Sequence, residues 1–241
     1  MKRRKFNQSI ILVGASTLLP SFHFAQKMDF EEITGQKKPN LFGTGYQLRK
    51  AASESFERMK AYASKAGFDI LVVSSYRSFS DQKRIWNNKY DRFTKQGDSP
   101  QEAISRIIEY STIPGTSRHH WGTDIDIVDG SKDVSGDRLL PGLFGDGKPY
   151  GEFKKWLNLN ASNYGFKVVY TNQPGRKGFK YEPWHFSYEP LSKGYLKKYM
   201  KVGFNDFLKG LDIKGREHLT DSFINQYWTE NMLDINPILK P

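Results

Sequence analysis

The chain has 241 residues, 37% of them hydrophobic, which suits one folded domain with a sizeable core plus appended segments. It contains no cysteine, so disulfide bonds and zinc sites built from thiolates are excluded. The formal net charge is +11, but no stripe of Lys and Arg interleaved with aromatic residues accompanies it. We therefore expect no nucleic-acid partner.

Residues 1–25 have the pattern of an export signal, which implies a protein of the periplasm, the cell wall or the extracellular space. Residues 2–5 are basic, and residues 10–19 are mostly apolar but too few to span a bilayer as a helix. The arginine pair also fits a twin-arginine signal, with an ordinary secretory signal as the equal alternative. We expect no stable membrane insertion after removal of the signal. The remaining alternative is a cytoplasmic protein with an apolar N-terminal arm.

The segment before the main domain, residues 26–45, is assigned to a linker or arm because it is largely polar and rich in Gly, Pro and Lys. The domain itself is placed at residues 46–200. It begins with helical periodicity over residues 46–66, followed by an apolar strand at residues 68–74. Ser80 is the predicted N-cap of the next helix, which runs to about residue 90.

The motif Ser-Tyr-Arg-Ser directly follows the first strand and places Arg77 between a strand end and a helix N-terminus. Anions are readily held at such a position. A guanidinium there can bind a substrate carboxylate through two hydrogen bonds. From the residues alone, a structural salt bridge is the competing interpretation.

A histidine and an aspartate, His119 and Asp126, lie seven residues apart across a glycine. Residues 123–128 alternate in polarity and are rich in β-branched side chains, which predicts a strand. On this strand Asp124 and Asp126 point to one face and the two isoleucines to the other, towards the core. Asp126 can then meet His119 at a metal ion. A polar loop and strand without a metal is the alternative for this motif alone.

The remaining elements follow from periodicity and from Gly and Pro positions. They are helices at residues 100–110 and 151–164, a surface loop at residues 129–148, and strands at residues 166–170 and 181–188. Residues 201–241 are assigned to a helical C-terminal extension, in which His218 is expected at the surface.

The last strand carries a second cluster, from Glu182 to His185. Residues three apart on a flat strand point to opposite faces, so both side chains reach one metal ion only if the backbone bends. Pro183 indicates that Glu182 lies at the start of the strand rather than in its ladder. Trp184 either packs against the site or belongs to the core. Two imidazoles, a carboxylate and a further carboxylate as general base are the inventory of a catalytic zinc site.

The pattern S-x-H-x-x-G-x-x-x-D at residues 117–126, followed by E-x-W-H at residues 182–185, resembles the signature of zinc D-alanyl-D-alanine carboxypeptidases of the VanY type. That family shares its fold with the hedgehog signalling domain and lysostaphin-like peptidases. The Ser-Tyr-Arg-Ser motif, with Gln82 five residues after its arginine, is a third family element, and the order of the three is the family order. One departure is Asp124, where the family often has a small residue. It leaves open which aspartate binds the metal.

The resemblance implies an α+β fold with a small, mainly antiparallel sheet, flanking helices and one zinc ion per chain at one face. His119, Asp126 and His185 would bind the zinc, and Glu182 would transfer the proton of the attacking water. Arg77 would neutralise the terminal carboxylate of the substrate or the developing oxyanion.

The implied reaction is removal of the terminal D-alanine from peptidoglycan stem peptides during cell-wall remodelling, by an enzyme expected to be a monomer. Candidate substrate-binding residues besides Arg77 are Gln82, Ser117, Tyr76 and Trp184. An endopeptidase acting on wall cross-links and a non-catalytic, zinc-containing wall-binding module are the alternatives, and Glu182 favours an enzyme. The choice between a D-Ala-D-Ala bond and an L,D bond stays open.

Overall fold

A four-stranded antiparallel sheet lies at the centre of the computed structural model, which describes residues 29–241. The strands are β1 (Ile70–Ser74), β2 (Asp124–Asp129), β3 (Phe166–Val168) and β4 (His185–Tyr188), in the order β1-β2-β4-β3. This sheet with its flanking helices confirms the predicted α+β class. The predicted export signal, residues 1–25, lies outside the described residues.

Eight α-helices surround the sheet within the described part of the chain. They are α1 (Phe30–Ile33), α2 (Lys50–Lys65), α3 (Phe79–Lys95), α4 (Pro100–Ile107), α5 (Gly151–Asn160), α6 (Glu189–Tyr199), α7 (Phe204–Lys209) and α8 (Asp221–Tyr227). None of these helices combines the length and the hydropathy that crossing a membrane requires.

The register between β2 and β4 brings distant residues face to face. Asp126 lies opposite His185, and Asp124 lies opposite Ser187. Residues directly opposite on neighbouring antiparallel strands have Cβ atoms about 4.5–5.5 Å apart. The pairing therefore joins the two sequence motifs, which are about sixty residues apart, on one face of the sheet.

The opposite face of the sheet packs on a hydrophobic core. Ile125 and Ile127 are completely buried there, as their alternation with the aspartates predicts, and they pack with side chains of α2 and α5. A second core lies between α3, α4 and the C-terminal helices, and includes Trp121, Leu208 and Tyr227. Residues after 200 thus share a core with the segment that carries His119.

Two predicted element boundaries next to the converging motifs, the start of α3 and the start of β4, are wrong. Ser78, not Ser80, is the N-cap of α3, because its side chain accepts from the Asp81 backbone N–H at 3.1 Å while its hydroxyl donates to the Asp81 carboxylate at 2.6 Å. The strand predicted at residues 181–188 begins only at His185. Before it the chain turns, and the His185 N–H donates to the Glu182 carbonyl oxygen at 3.2 Å.

Candidate active site

Three side chains from three separate segments converge beside the sheet. The potential ligand atoms of His119, Asp126 and His185 all lie within 4.8 Å of one another. His119 Nε2 is 3.4 Å from one Asp126 oxygen, and His185 Nδ1 is 3.8 Å from the other. All three residues are 4% exposed, so the cluster is shielded from bulk water.

The turn before β2 positions His119. The 3₁₀ turn Arg118–Trp121 begins after Ser117, whose hydroxyl oxygen accepts from the His119 N–H at 3.3 Å. It ends at Gly122, which adopts a left-handed conformation with φ of +68°. A Cβ atom at Gly122 would lie 2.7 Å from the Leu41 side chain. Both this close approach and the left-handed backbone therefore require glycine at this position. The S-x-H-x-x-G part of the motif is thus a local structure that aims the imidazole.

Hydrogen bonds behind the two imidazoles determine which ring nitrogen faces the cluster. His119 Nδ1 donates to the Ser75 carbonyl oxygen at 2.7 Å, which leaves Nε2 towards Asp126. His185 Nε2 donates to Asp124 at 3.1 Å, which leaves Nδ1 towards Asp126. Outer partners of this kind orient the histidine ligands of metal sites.

Glu182 completes the cluster from the turn before β4. Its carboxylate lies 2.8 Å from His185 Nδ1, and it is 6% exposed. The bend between Glu182 and His185, expected from Pro183, brings both side chains to one face. Burial raises the pKa of Glu182, with the charge of Asp126 acting in the same direction and that of His185 against it.

The electrostatics of the cluster favour bound positive charge. Burial opposes ionisation of Asp126, but the imidazoles of His119 and His185 outweigh it and hold its pKa below the usual value. Burial also disfavours protonated His185, yet Asp126, Asp124 and Glu182 raise its pKa to about 10. The surrounding carboxylates therefore stabilise a cation at this point.

The chemistry and spacing of the cluster fit zinc. Two imidazole nitrogens and one carboxylate oxygen are a ligand set of catalytic zinc sites. Tetrahedral zinc with ligands at about 2.0–2.2 Å separates neighbouring ligand atoms by roughly 3.3–3.6 Å. His119 Nε2 lies 3.4 Å from Asp126 Oδ2, and His185 Nδ1 lies 3.8 Å from Oδ1 of the same carboxylate, so each imidazole is at about this separation from one of the two oxygens. Asp126 Oδ1 is buried without a hydrogen-bond partner within residues 29–241, as an oxygen reserved for a metal would be.

Asp124 lies in a different environment. It accepts from Arg118 Nε at 2.9 Å, from the Ser187 hydroxyl at 2.6 Å and from the Thr123 hydroxyl at 2.7 Å, besides its bond from His185. Arg118 Nη2 also donates to Ser187 at 2.8 Å. Burial opposes ionisation of Asp124, but Arg118 and His185 hold its pKa well below the usual range. We call Arg118, Asp124 and Ser187 the buried ion-pair network.

Arg77 reaches the cleft from the segment between β1 and α3. Gln82 accepts from its Nη1 at 2.8 Å, and Ser74 accepts from its Nη2 at 2.9 Å. Burial lowers the pKa of Arg77, while the carboxylates of Asp126 and Glu182 act in the opposite direction. The side chain remains a guanidinium cation, since arginine does not lose its proton in proteins.

His120 ties this arginine segment to the metal-binding turn. It is completely buried, its Nδ1 donates to the Arg77 carbonyl oxygen at 2.6 Å, and its Nε2 accepts from the Gly115 N–H at 3.2 Å. Burial lowers its pKa to about 3, so the ring is neutral. A Cβ atom at Gly35, where φ is +75°, would lie 2.3 Å from this ring. The arm before the domain, which contains Gly35, therefore packs against the same His120 ring that holds the Arg77 segment.

A cleft of about 540 Å³ opens onto the cluster. Arg77, Ser117, Glu182 and Trp184 line it together with the three converging side chains. Trp184 packs in a small core with Phe144 and Tyr150, so it is both a core aromatic and a cleft wall.

Two of the predicted substrate-binding residues do not line this cleft. Gln82 is completely buried behind Arg77, and its amide nitrogen donates to the Thr112 carbonyl oxygen at 2.7 Å. Tyr76 also lies outside the lining, with its backbone N–H bonded to the Gln47 carbonyl oxygen at 3.1 Å.

The buried ion-pair network was not predicted. The signal that could have revealed it is the unusual carboxylate at Asp124, together with an arginine six residues earlier. A buried carboxylate requires a compensating partner, so a carboxylate at a position where the family often has a small residue indicates a buried cation nearby.

A family model described as VanY, D-alanyl-D-alanine carboxypeptidase, matches residues 45–191. YodJ of Bacillus subtilis strain 168 is 32% identical over 142 residues, which are 58% of this chain and 46% of YodJ. The chain thus spans about half the length of this relative.

Two solved structures share the fold. VanYB in complex with D-alanine-D-alanine matches with a TM-score of 0.52 at 22% identity, covering 73% of this chain and 91% of VanYB. A mutant of the vancomycin-resistance D,D-pentapeptidase VanY in complex with Zn(II) matches with a TM-score of 0.51 at 21% identity, covering 76% and 90%. At these identities the likeness concerns the fold.

Proposed function

The chain belongs to the VanY family of D-alanyl-D-alanine carboxypeptidases, and from this premise we propose that it is a zinc-dependent peptidase acting on peptidoglycan. Its reaction would be hydrolysis of the bond before the C-terminal D-alanine of a stem peptide. The observation that carries this proposal is the convergence of His119, Asp126 and His185 in the wall of one cleft, with Glu182 beside them.

Three residues would hold one zinc ion per chain: His119 through Nε2, His185 through Nδ1, and Asp126 through its carboxylate. Zinc in such a site supplies a Lewis acid that lowers the pKa of a bound water molecule to about 7 and polarises a carbonyl group. Ser75 and Asp124 would keep the two imidazoles oriented through the opposite ring nitrogens.

Glu182 would act as the general base. It would take the proton of the attacking water and pass it to the leaving amine, because no other carboxylate of the cluster remains outside the metal-binding set and the buried ion-pair network.

Arg77 would bind the terminal carboxylate of the substrate or the oxyanion that develops during attack. Gln82 and Ser74 occupy two of its N–H groups and fix the plane of the guanidinium, which leaves the remaining N–H groups for an anion. Gln82 would therefore act through Arg77, while Ser117 and Trp184 would shape the wall that the peptide contacts.

The decisive test compares a pentapeptide ending in D-Ala-D-Ala with the same peptide amidated at its C-terminus. Wild-type protein should release D-alanine from the free acid, with the products identified by mass spectrometry. The amidated peptide should be a poor substrate. Arg77→Ala should lower kcat/KM on the acid by at least ~30-fold, because breaking a buried charge pair costs ~2–5 kcal/mol. Arg84→Ala is the matched control, since Arg84 is an exposed arginine on α3 that pairs with Asp81.

Other outcomes would redirect the proposal. Equal wild-type activity on acid and amide would refute recognition of the chain end and favour the endopeptidase. An equal loss on both peptides in Arg77→Ala would place Arg77 at the oxyanion or in the fold, and the zinc content and Tm would separate these two. No hydrolysis of any peptide would favour the non-catalytic wall-binding module.

We also propose that the protein acts outside the cytoplasm, in the periplasm or the cell wall, as a monomer. The support is the wall-directed chemistry of the family and the signal-like pattern of residues 1–25. Cell fractionation tests the location, and sedimentation of the purified protein tests the monomer. Protein found only in the cytoplasm would contradict the first.

A further inference from the structure

The cleft continues past the cluster along one side of α3. Ile85, Lys89 and Arg92 line it beyond Arg77. Residues at this spacing share a face of a helix. Gln82, which holds Arg77, lies on the same helix seven residues before Lys89, a distance of roughly 10 Å along the axis. The cleft wall therefore carries positive charge at two levels separated by about the length of three extended residues.

The two outer cations of this wall have no carboxylate partner within residues 29–241. Their neighbours do: Arg106 pairs with Asp98 at 2.6 Å, and Lys83, on the other side of α3, pairs with Asp212 at 2.8 Å. Lys89 is half-buried. The guanidinium of Arg92 lies 4.7 Å from the centre of the Phe93 ring, which orients it without neutralising it.

Lys89, Arg92 and Arg106 line this part of the cleft, which also contains the carboxylates of Glu109 and Asp137. Glu109 is paired with Lys180 at 2.8 Å. Burial lowers the pKa of Lys89, and the charges of Arg92 and Arg77 add to the effect, against Glu182 and Asp137. Asp137 is exposed on the facing loop, and its carboxylate accepts from the Leu139 N–H at 2.9 Å. A half-buried ammonium that has no carboxylate partner within residues 29–241 and is further destabilised by nearby positive charge is most readily satisfied by an anionic ligand.

We propose that Lys89 and Arg92 form a second anion subsite, which binds a carboxylate of the stem peptide on the N-terminal side of the scissile bond. This inference rests on the proposed carboxypeptidase function. The substrate of a carboxypeptidase ends one residue after the scissile bond, so an extended cleft must hold the residues that precede it. Gln82, which holds Arg77, and Lys89 are separated by roughly 10 Å along α3, and over that length an extended chain places the second or third residue before its end, or the side chain of that residue.

Two carboxylates of stem peptides fit this distance. One is the α-carboxylate of a γ-linked glutamate, and the other is the side-chain carboxylate of a diaminopimelate residue. A lysine in place of diaminopimelate would bring an amine to the same region instead. The substrate class is therefore a stem peptide with a free internal carboxylate, and peptides without one should bind more weakly.

Four pentapeptides distinguish the two sources: diaminopimelate or lysine at position three, each with a free or amidated γ-linked glutamate. Steady-state kinetics with wild type should give a KM about tenfold lower when the recognised carboxylate is present, the effect of one charge-assisted contact. Lys89→Gln and Arg92→Gln should reduce this KM ratio towards one while kcat changes little, because the contact lies away from the reacting bond. Lys95→Gln, an exposed lysine of α3 outside the cleft lining, should preserve the ratio.

Equilibrium binding of the four peptides to Glu182→Gln, measured in parallel, separates this proposal from the proposed function. One outcome is that wild type cleaves none of the four peptides while their Kd values still differ about tenfold. If Lys89→Gln then removes that difference in Kd, the anion subsite is supported and the proposed peptidase function is refuted. Equal Kd and KM for all four peptides, or the same loss on all four in Lys89→Gln, overturns the subsite. Unchanged Tm values of the variants exclude misfolding as the cause.

Discussion

Asp124 and Asp126 lie two residues apart on the same face of β2, and both are buried, yet their surroundings are opposite. Asp124 is satisfied within the chain by an arginine, two hydroxyl groups and an imidazole. Asp126 faces two imidazoles and keeps one oxygen without a hydrogen-bond partner in the described part of the chain.

This difference separates a structural carboxylate from one held ready for a ligand. Burying an uncompensated charge is unfavourable, so a fold retains it only where something else stabilises it. Burial and residue type are the same at both positions, and only the list of partners distinguishes them. For a chain with two aspartates in its motif, the partners of each oxygen favour Asp126 over Asp124 as the proposed metal ligand.

The largest expected effect is on metal content. Asp126→Asn should purify without stoichiometric zinc, because the amide replaces the only anionic ligand of the proposed set. Asp124→Asn should retain zinc, with an affinity lowered by about 10–100-fold, the usual effect of altering an outer partner of a ligand histidine. Elemental analysis of protein purified without chelator, followed by competition with a chelator, measures both.

A reversed pattern would exchange the roles of the two aspartates. The double variant His119→Ala/His185→Ala provides the lower limit of the same measurement. Full zinc retention in that variant would show that zinc does not bind through these two histidines, and would contradict a metal site on this face of the sheet.

The second effect concerns turnover without loss of metal. Glu182→Gln should keep zinc and the fold while kcat falls by ~10²–10⁴-fold, because proton transfer is lost but no ligand is. Single-turnover hydrolysis and zinc content of the same preparation provide the two readouts. If zinc leaves together with the activity, Glu182 belongs among the ligands or their supports.

The third effect is on stability and arises from the buried ion-pair network. Asp124→Ala would leave Arg118 charged and unpaired in the interior, where it is 2% exposed, and should lower the free energy of unfolding by about 3–5 kcal/mol. Arg118→Met combined with Asp124→Ala should recover most of the loss, since neither charge of this pair remains in the interior. Urea unfolding of the two variants tests this, and equal destabilisation in both would contradict the charge argument.

The smallest effect belongs to Ser187→Ala. Its hydroxyl bridges Arg118 and Asp124, so its removal should cost about 1–2 kcal/mol without changing zinc content. Ser192→Ala is a matched control, because that serine is equally buried but its hydroxyl has no hydrogen-bond partner within residues 29–241. Equal losses in both variants would mean that the bridge contributes nothing specific.

The meeting of His119 with Asp126 could be predicted from the residues because both lie in one short motif, whereas the addition of His185 was implied by the resemblance to the VanY-type family. A glycine ends the turn after His119, alternation orients Asp126, and Pro183 bends the chain before His185. The strands of the sheet could also be predicted from local sequence, because they are short apolar or alternating segments bounded by turn residues.

The ion-pair network could not be predicted in the same way. Arg118 meets Ser187 only through the register of β4 against β2, which depends on packing across 69 residues of sequence. The α3 cap is a smaller case. Ser75, Ser78 and Ser80 are all suitable N-cap residues, and the choice depends on where the chain leaves its extended conformation after β1.

The hydroxyl group of Tyr227 accepts from the Ile113 N–H at 3.2 Å and shares a hydrogen bond with Thr116 at 2.8 Å, just before the turn that carries His119. This contact links residues 114 positions apart. A ribosome adding about 5–20 residues per second needs roughly 6–23 s to travel that far. The segment that leads to the His119 turn is therefore synthesised well before the helix whose Tyr227 braces it. Until α8 is present, the segment just before the turn that carries His119 lacks this support.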